Sequence, residues 1–135
     1  MAQIVYTIYK GDSITMIYHP ETKIIQHTFQ GAASSAELRA ALNAGTNLLR
    51  RYQVTKWLSD ERENSYLSPE DVHYLVTDWV PRTVRAGWKY WAIVVPRQLE
   101  SRVDAMTIVQ ACYDLGVRTM VFSDVPEALD WLASL

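Results

Sequence analysis

Cysteine is almost missing from this sequence. Of 135 residues only Cys112 carries a thiol, so no intramolecular disulfide can form and a disulfide-stapled scaffold is excluded. Glycine is sparse, with five residues, and none of them stands in a phosphate-cradling loop, which removes the Gly-rich nucleotide-binding class. A charge excess is lacking too: 13 Lys and Arg face 15 Asp and Glu, and the basic residues are scattered from Lys10 to Arg118 with only Arg50 and Arg51 adjacent. No concentrated footprint for nucleic-acid phosphates results, and no nucleic-acid partner is expected. No apolar run approaches membrane-spanning length, and Met1 to Tyr6 lacks a basic region leading into an apolar stretch and a small-residue cleavage site. The expectation is a cytoplasmic protein without an integral membrane segment.

What is present is an ordinary globular composition, 49% apolar and 21% charged, in a length that suits one domain over residues 1–135. The pattern begins as strands. Ile4 to Tyr9, Ile14 to His19 and Ile24 to Phe29 are β-branched and aromatic, with turn chemistry at Gly11-Asp12 and at His19-Pro20-Glu21-Thr22-Lys23, which predicts an antiparallel meander. Ser34-Ser35-Ala36-Glu37 then matches a capping box, and Leu38, Ala41, Leu42, Gly45, Leu49 and Tyr52 recur at helical spacing behind it. Val54 to Ser59 reads as a short strand followed by the polar loop Asp60 to Ser65.

Ser68-Pro69-Glu70-Asp71 places an N-cap serine, a proline at the first helical position and acids at the positive end of a dipole, which predicts a second helix. Val72, Leu75, Val76, Trp79 and Val80 form its apolar face, and Pro81 should kink or restart it. Tyr90 to Val95 is a nearly continuous apolar run, as in a strand buried on both faces near the centre of a sheet. A third helix over Val103 to Leu115 sets Ile108, Val109, Cys112 and Leu115 on one side and stops at Gly116. Arg118 to Phe122 is a last strand, and Asp124-Val125-Pro126-Glu127 starts a short last helix with Ala128, Leu129, Leu132 and Leu135 able to dock. Strands first and then alternating helix and strand predict an α/β fold: a mixed sheet with an antiparallel N-terminal hairpin and parallel βα units.

In such sheets ligands gather at the carboxyl ends of the parallel strands, here the loops holding Asp60, Arg62, Ser65, Arg97, Ser123 and Asp124. These residues are the candidate ligand or partner contacts. Asp60 and Arg62 admit two readings, a structural ion pair that caps the loop or a pair that orients a polar ligand. No Gly-x-Ser-x-Gly element frames a serine, and Cys112 lies on an apolar helix face, so no catalytic residue is named. His19 and His27 flank the hairpin, but the register sets His27 opposite Met16 and no carboxylate or cysteine completes a metal set. No metal and no cofactor are expected. His73 follows two acids and reads as a helix-surface residue. Five tryptophans are many for this length, and Trp79, Arg82 and Trp88 are the candidate interface residues, with Trp88 expected to stand exposed after the Gly87 turn.

Three segments recur together in one family: Val54-Thr55-Lys56-Trp57-Leu58-Ser59-Asp60-Glu61-Arg62, Asp78-Trp79-Val80-Pro81-Arg82, and Phe122-Ser123-Asp124-Val125-Pro126-Glu127-Ala128-Leu129-Asp130-Trp131-Leu132. In them the chain resembles the bacterial STAS/SEC14-like, or SpoIIAA-like, proteins. The resemblance implies the fold of the anti-sigma-factor antagonists and a non-enzymatic role in regulation, through a protein partner or self-association as a homodimer. A small-molecule or lipid ligand at the strand ends is the alternative. The regulatory serine of such antagonists stands in an Asp-Ser-type motif; the matching stretch here, Asp60 to Ser65, contains no Asp-Ser-Gly element.

Overall fold

A computed structural model describes residues 4–64, 67–95 and 99–135. Its strands are β1 (Tyr6–Lys10), β2 (Ile14–His19), β3 (Ile24–Phe29), β4 (Lys56–Asp60), β5 (Tyr90–Val94) and β6 (Arg118–Phe122). Its helices are α1 (Ser35–Tyr52), α2 (Pro69–Tyr74), α3 (Val80–Ala86), α4 (Leu99–Asp114) and α5 (Val125–Ala133). The strands form one six-stranded sheet in sequence order, antiparallel from β1 to β3 and parallel from β3 to β6. The mixed α/β architecture expected from the pattern is therefore present, and β5 lies inside the sheet between β4 and β6.

Helix starts follow local chemistry. Ser34, Ser68 and Asp124 are extended N-cap residues whose side-chain oxygens accept from the backbone N–H three positions on, at Glu37, Asp71 and Glu127. The first of these is only half a capping box. Instead of turning back to Ser34, the Glu37 carboxylate accepts from the N–H groups of Ser13 and Ile14 at 2.9 and 2.8 Å, fixing α1 to the start of β2. Gly11 allows this approach, because a Cβ there would collide with the Glu37 carboxylate and the Tyr9 ring.

Val54 does not begin β4 as its β-branched character suggests. Gln53 takes a left-handed conformation, and the Val54 N–H donates to the Leu49 carbonyl, so both residues close α1 and the strand starts at Lys56. At Pro81 the expected interruption takes a specific form. Leu75–Trp79 is a π turn in which the Val80 N–H reaches back to the Leu75 carbonyl, and α3 restarts with Pro81 in its first turn. The widened turn absorbs the N–H that proline lacks and the clash of its ring with the preceding turn.

The two faces of the sheet carry separate apolar cores. One face packs Ile14, Met16, Ile25, Trp57, Trp91 and Ile93 against α1, the π turn, α3 and α4. The other packs Ile24, Leu58, Ala92 and Val94 against Ala128 and Leu132 of α5. Alternation along each strand sorts residues between the faces, so Trp57 and Ser59 point to the first while Leu58 and Asp60 point to the second. Three apolar residues read as docked are not: Leu115 is 46% exposed past the end of α4, Leu135 is 38% exposed past the end of α5, and Tyr52 is 50% exposed, stacked on Tyr18 at 6.3 Å. All three sit at or just beyond the end of a helix, where the periodic stripe has already run off the sheet. Among the described residues no helix is long and apolar enough to cross a membrane.

Candidate functional site

The carboxyl ends of β4 and β6 bring Asp60, Arg62, Ser123 and Asp124 to one rim of the sheet. Asp60 is the last residue of β4 and is 4% exposed. A lone carboxylate there would be costly, and Arg62 satisfies it in a fork: Nε donates to Oδ1 at 2.9 Å and Nη2 to Oδ2 at 2.9 Å, with the Arg62 backbone N–H adding a third bond at 3.3 Å. The hydrogen bond to Asp60, then the charge of Asp60, and further out Glu63 and Asp124, hold the Arg62 guanidinium above its ordinary range against its partial burial. Asp124 is thus close enough to be felt by Arg62, while its Oδ1 accepts the Glu127 N–H at 2.8 Å to cap α5. Ser123 is exposed between them. Ser65 and Arg97 lie outside the described residues.

A second cluster stands on the opposite face of the same rim. Glu61, the residue after β4, is anchored by its N–H to the Val94 carbonyl and accepts from His27 Nε2 at 3.0 Å and from Asn64 Nδ2 at 2.9 Å. His27 is buried on β3, and its Nδ1 accepts from Trp57 Nε1 at 2.9 Å. Indole nitrogen only donates, so Nδ1 bears no proton and Nε2 carries the one shared with Glu61. Beside it on the sheet Ser59 Oγ accepts from Trp91 Nε1 at 2.7 Å. His27, Ser59 and Glu61, with Phe29 and Leu67 among their apolar neighbours, line a cavity of about 30 Å³, room for a water or two and no more.

The arrangement limits the chemistry available. Serine, histidine and carboxylate are neighbours here, yet His27 has both ring nitrogens engaged and makes no hydrogen bond to Ser59, so no base stands ready to activate the hydroxyl. Cys112 is fully buried, and burial alone pushes its thiol up to about 12. Among the described residues no group of three or more His, Cys, Asp and Glu side chains is placed to hold a metal ion.

The expected interface group divides. Trp79 and Trp88 are 4% and 2% exposed, which corrects the expectation of surface tryptophans. The Gly87 turn swings Trp88 inward, where its Nε1 donates to the Tyr90 carbonyl, and its ring lies 5.3 to 5.9 Å from Trp57, Trp79 and Trp91. Trp79 Nε1 donates to Thr46 Oγ1 and to the Leu42 carbonyl. Of the three, only Arg82 is at the surface, half-buried and bonded to Asp78 and to the Tyr74 hydroxyl.

The cavities lined by described residues alone do not include Asp60 or Arg62. A groove of about 460 Å³ runs between α2 and α4, lined by Leu67, Pro69, Val72, Val76, Asp104 and the exposed His73. A second of about 580 Å³ lies between α1 and α2, and a third of about 270 Å³ lies beside α5 near His19. None of these three, nor the small internal cavity, includes Asp60, Arg62, Ser123 or Asp124. The His27–Glu61 pair had a signal in sequence: His27 occupies an inward parity position between Ile25 and Phe29, where a polar side chain needs a buried partner. No protein-family model matches the chain, and no curated protein matches it.

Proposed function

We propose that the chain is a non-enzymatic regulatory or protein-interaction domain of the STAS/SpoIIAA-like kind, working from the rim at the carboxyl ends of β4 and β6. The observation that carries this reading is the form of that rim. Its buried carboxylate is already matched by Arg62 and its helix cap by Asp124, so what the described rim residues offer is a set of charged and polar groups suited to a protein partner. The engaged ring of His27 and the buried Cys112 support a role without covalent chemistry.

The experiment is affinity capture by the tagged chain beside its Arg62→Glu variant, with direct titration of any captured protein. The expected result is a stoichiometric partner whose binding weakens about tenfold or more when the rim charge is reversed. Binding that ignores Arg62→Glu would count against the rim. A metabolite or lipid that raises the melting temperature, in the absence of any protein partner, would replace the reading with ligand binding.

A further inference from the structure

Basic residues that are scattered along the chain are gathered by the parallel sheet. Its register sets Ile24, Lys56, Tyr90 and Arg118 side by side at the amino ends of β3 to β6, so Lys23, Lys56, Lys89 and Arg118 form one row along that rim. The same rim receives the ends of α1 and α3, with Arg50, Arg51 and Arg85 in their last turns. Cations there answer the negative ends of the helices, a local role that the four in the row do not have. All but the half-buried Lys56 are exposed, and none of these cations is ion-paired with a described residue, although Arg62 and Arg82 elsewhere are. The acids at this end are Glu21, Asp114 and Asp130, of which Asp114 accepts from Gln110 Nε2 at 2.9 Å. The acidic excess lies at the opposite rim, where Asp12, Glu37, Asp60, Glu61, Glu63 and Asp124 meet Lys10 and Arg62.

Exposed apolar side chains share the basic end. Tyr52 closes α1 and is 50% exposed with Arg51 over its ring at 5.5 Å, while Tyr113 and Leu115 at the end of α4 are 72% and 46% exposed. We propose that the rim at the amino ends of β3 to β6 docks on an anionic phospholipid surface. Cations that the chain does not neutralise are drawn to lipid headgroups, and tyrosine and leucine beside them enter the boundary between headgroups and acyl chains. The apolar members favour lipid over nucleic acid, since Leu115 gains nothing against a phosphate backbone and is buried at a bilayer. A formal net charge of -2 does not oppose this. Charges are screened beyond about 8 Å at physiological ionic strength, whereas strands rising about 3.3 Å per residue hold the acidic rim roughly 15 Å away. The surface lies at the other end of the sheet from Arg62, so the inference goes beyond the interaction rim and does not depend on it.

The test is co-sedimentation of the full chain with phosphatidylcholine vesicles, with and without about 30% phosphatidylserine. Wild type should partition at least about tenfold better onto the anionic vesicles and be released as salt is raised to about 0.5 M. Lys89→Glu with Arg118→Glu, both at exposed positions, should weaken binding about tenfold or more. Tyr113→Ser with Leu115→Ser should weaken it by about tenfold at unchanged charge. Lys10→Glu with Arg39→Glu makes the same change in net charge away from this rim and should stay within about twofold of wild type. Near-ultraviolet circular dichroism from the buried tryptophans checks that each variant is folded. Equal partition onto both kinds of vesicle overturns the proposal and leaves the Arg62 experiment standing. So does equal loss from the two charge-reversed pairs, indifference to the Tyr113 and Leu115 substitutions, or tighter binding to a DNA duplex than to the anionic vesicles.

Discussion

The two faces of the sheet are stabilised on different scales. On the face covered by α1, α3 and α4, four indoles form one contiguous cluster, with neighbouring ring centroids 5.2 to 5.9 Å apart. Each N–H in it has its own acceptor: His27 for Trp57, Thr46 for Trp79, the Tyr90 carbonyl for Trp88 and Ser59 for Trp91. The face covered by α5 depends on one helix of 9 residues, a handful of aliphatic contacts, and two polar pairs set into it, His19 with Gln26 and Asp60 with Arg62. Large aromatic burial tolerates polar atoms when each is matched, because the cost of removing an N–H from water is recovered by one well-placed acceptor. The smaller face places its charged pair at its border, where Arg62 still reaches water.

The largest test of this contrast is Trp57→Ala. The substitution opens a void between Trp79 and Trp88 and leaves buried His27 Nδ1 without its donor, so a loss of about 4 kcal/mol is expected in urea unfolding. Leu132→Ala is the equivalent deletion on the α5 face and should cost about 3 kcal/mol, since Leu132 is fully buried but offers fewer atoms. A greater loss from Leu132→Ala than from Trp57→Ala would reverse the ranking of the two faces.

Gly45→Ala sharpens the packing side of the comparison. Alanine favours the helix by about 1 kcal/mol, but its Cβ would overlap the Trp57 ring and the Met16 methyl, and overpacking of this kind costs about 1–3 kcal/mol. The overlap should win, lowering stability by roughly 1 kcal/mol where an exposed helical glycine would gain by the same change.

The smallest effect belongs to Cys112. Burial raises its thiol from an ordinary 9.0 to about 12, so between those values the unfolded chain releases a proton that the folded chain keeps. Its contribution to stability is neutral below about pH 9 and becomes unfavourable as pH rises toward about 12, because the unfolded state binds fewer protons there. Cys112→Ala should flatten that part of the stability profile, and in the native protein a thiol reagent at pH 8 should react only as fast as the chain opens.

Much of the architecture was legible residue by residue. The strands Ile14–His19, Ile24–Phe29 and Arg118–Phe122 and the caps at Ser34, Ser68 and Asp124 follow from β-branched alternation and from side-chain oxygens beside orphan N–H groups. Of the rim, the nearness of Asp60 and Arg62 could be read from their spacing after a strand, but their bidentate geometry could not. The pairing of His27 with Glu61, 34 residues apart, depends on β3 lying beside β4. Glu37 shows the same limit: its spacing from Ser34 satisfies the capping-box pattern, yet two N–H groups on β2 hold its carboxylate.

By itself the sequence determined what nearest neighbours along the chain can decide: where helices begin, which residues alternate into strands, that Pro81 must interrupt a helix, and that no disulfide could contribute. The tertiary structure alone decided which residues 20 to 40 positions apart would share a buried space, and so whether Trp88 faces water or the indole cluster, where Glu37 spends its acceptors, and which proton His27 keeps. The physical reason is range. Backbone sterics and capping act within a turn or two, whereas burial and the matching of polar groups away from water are properties of the assembled sheet.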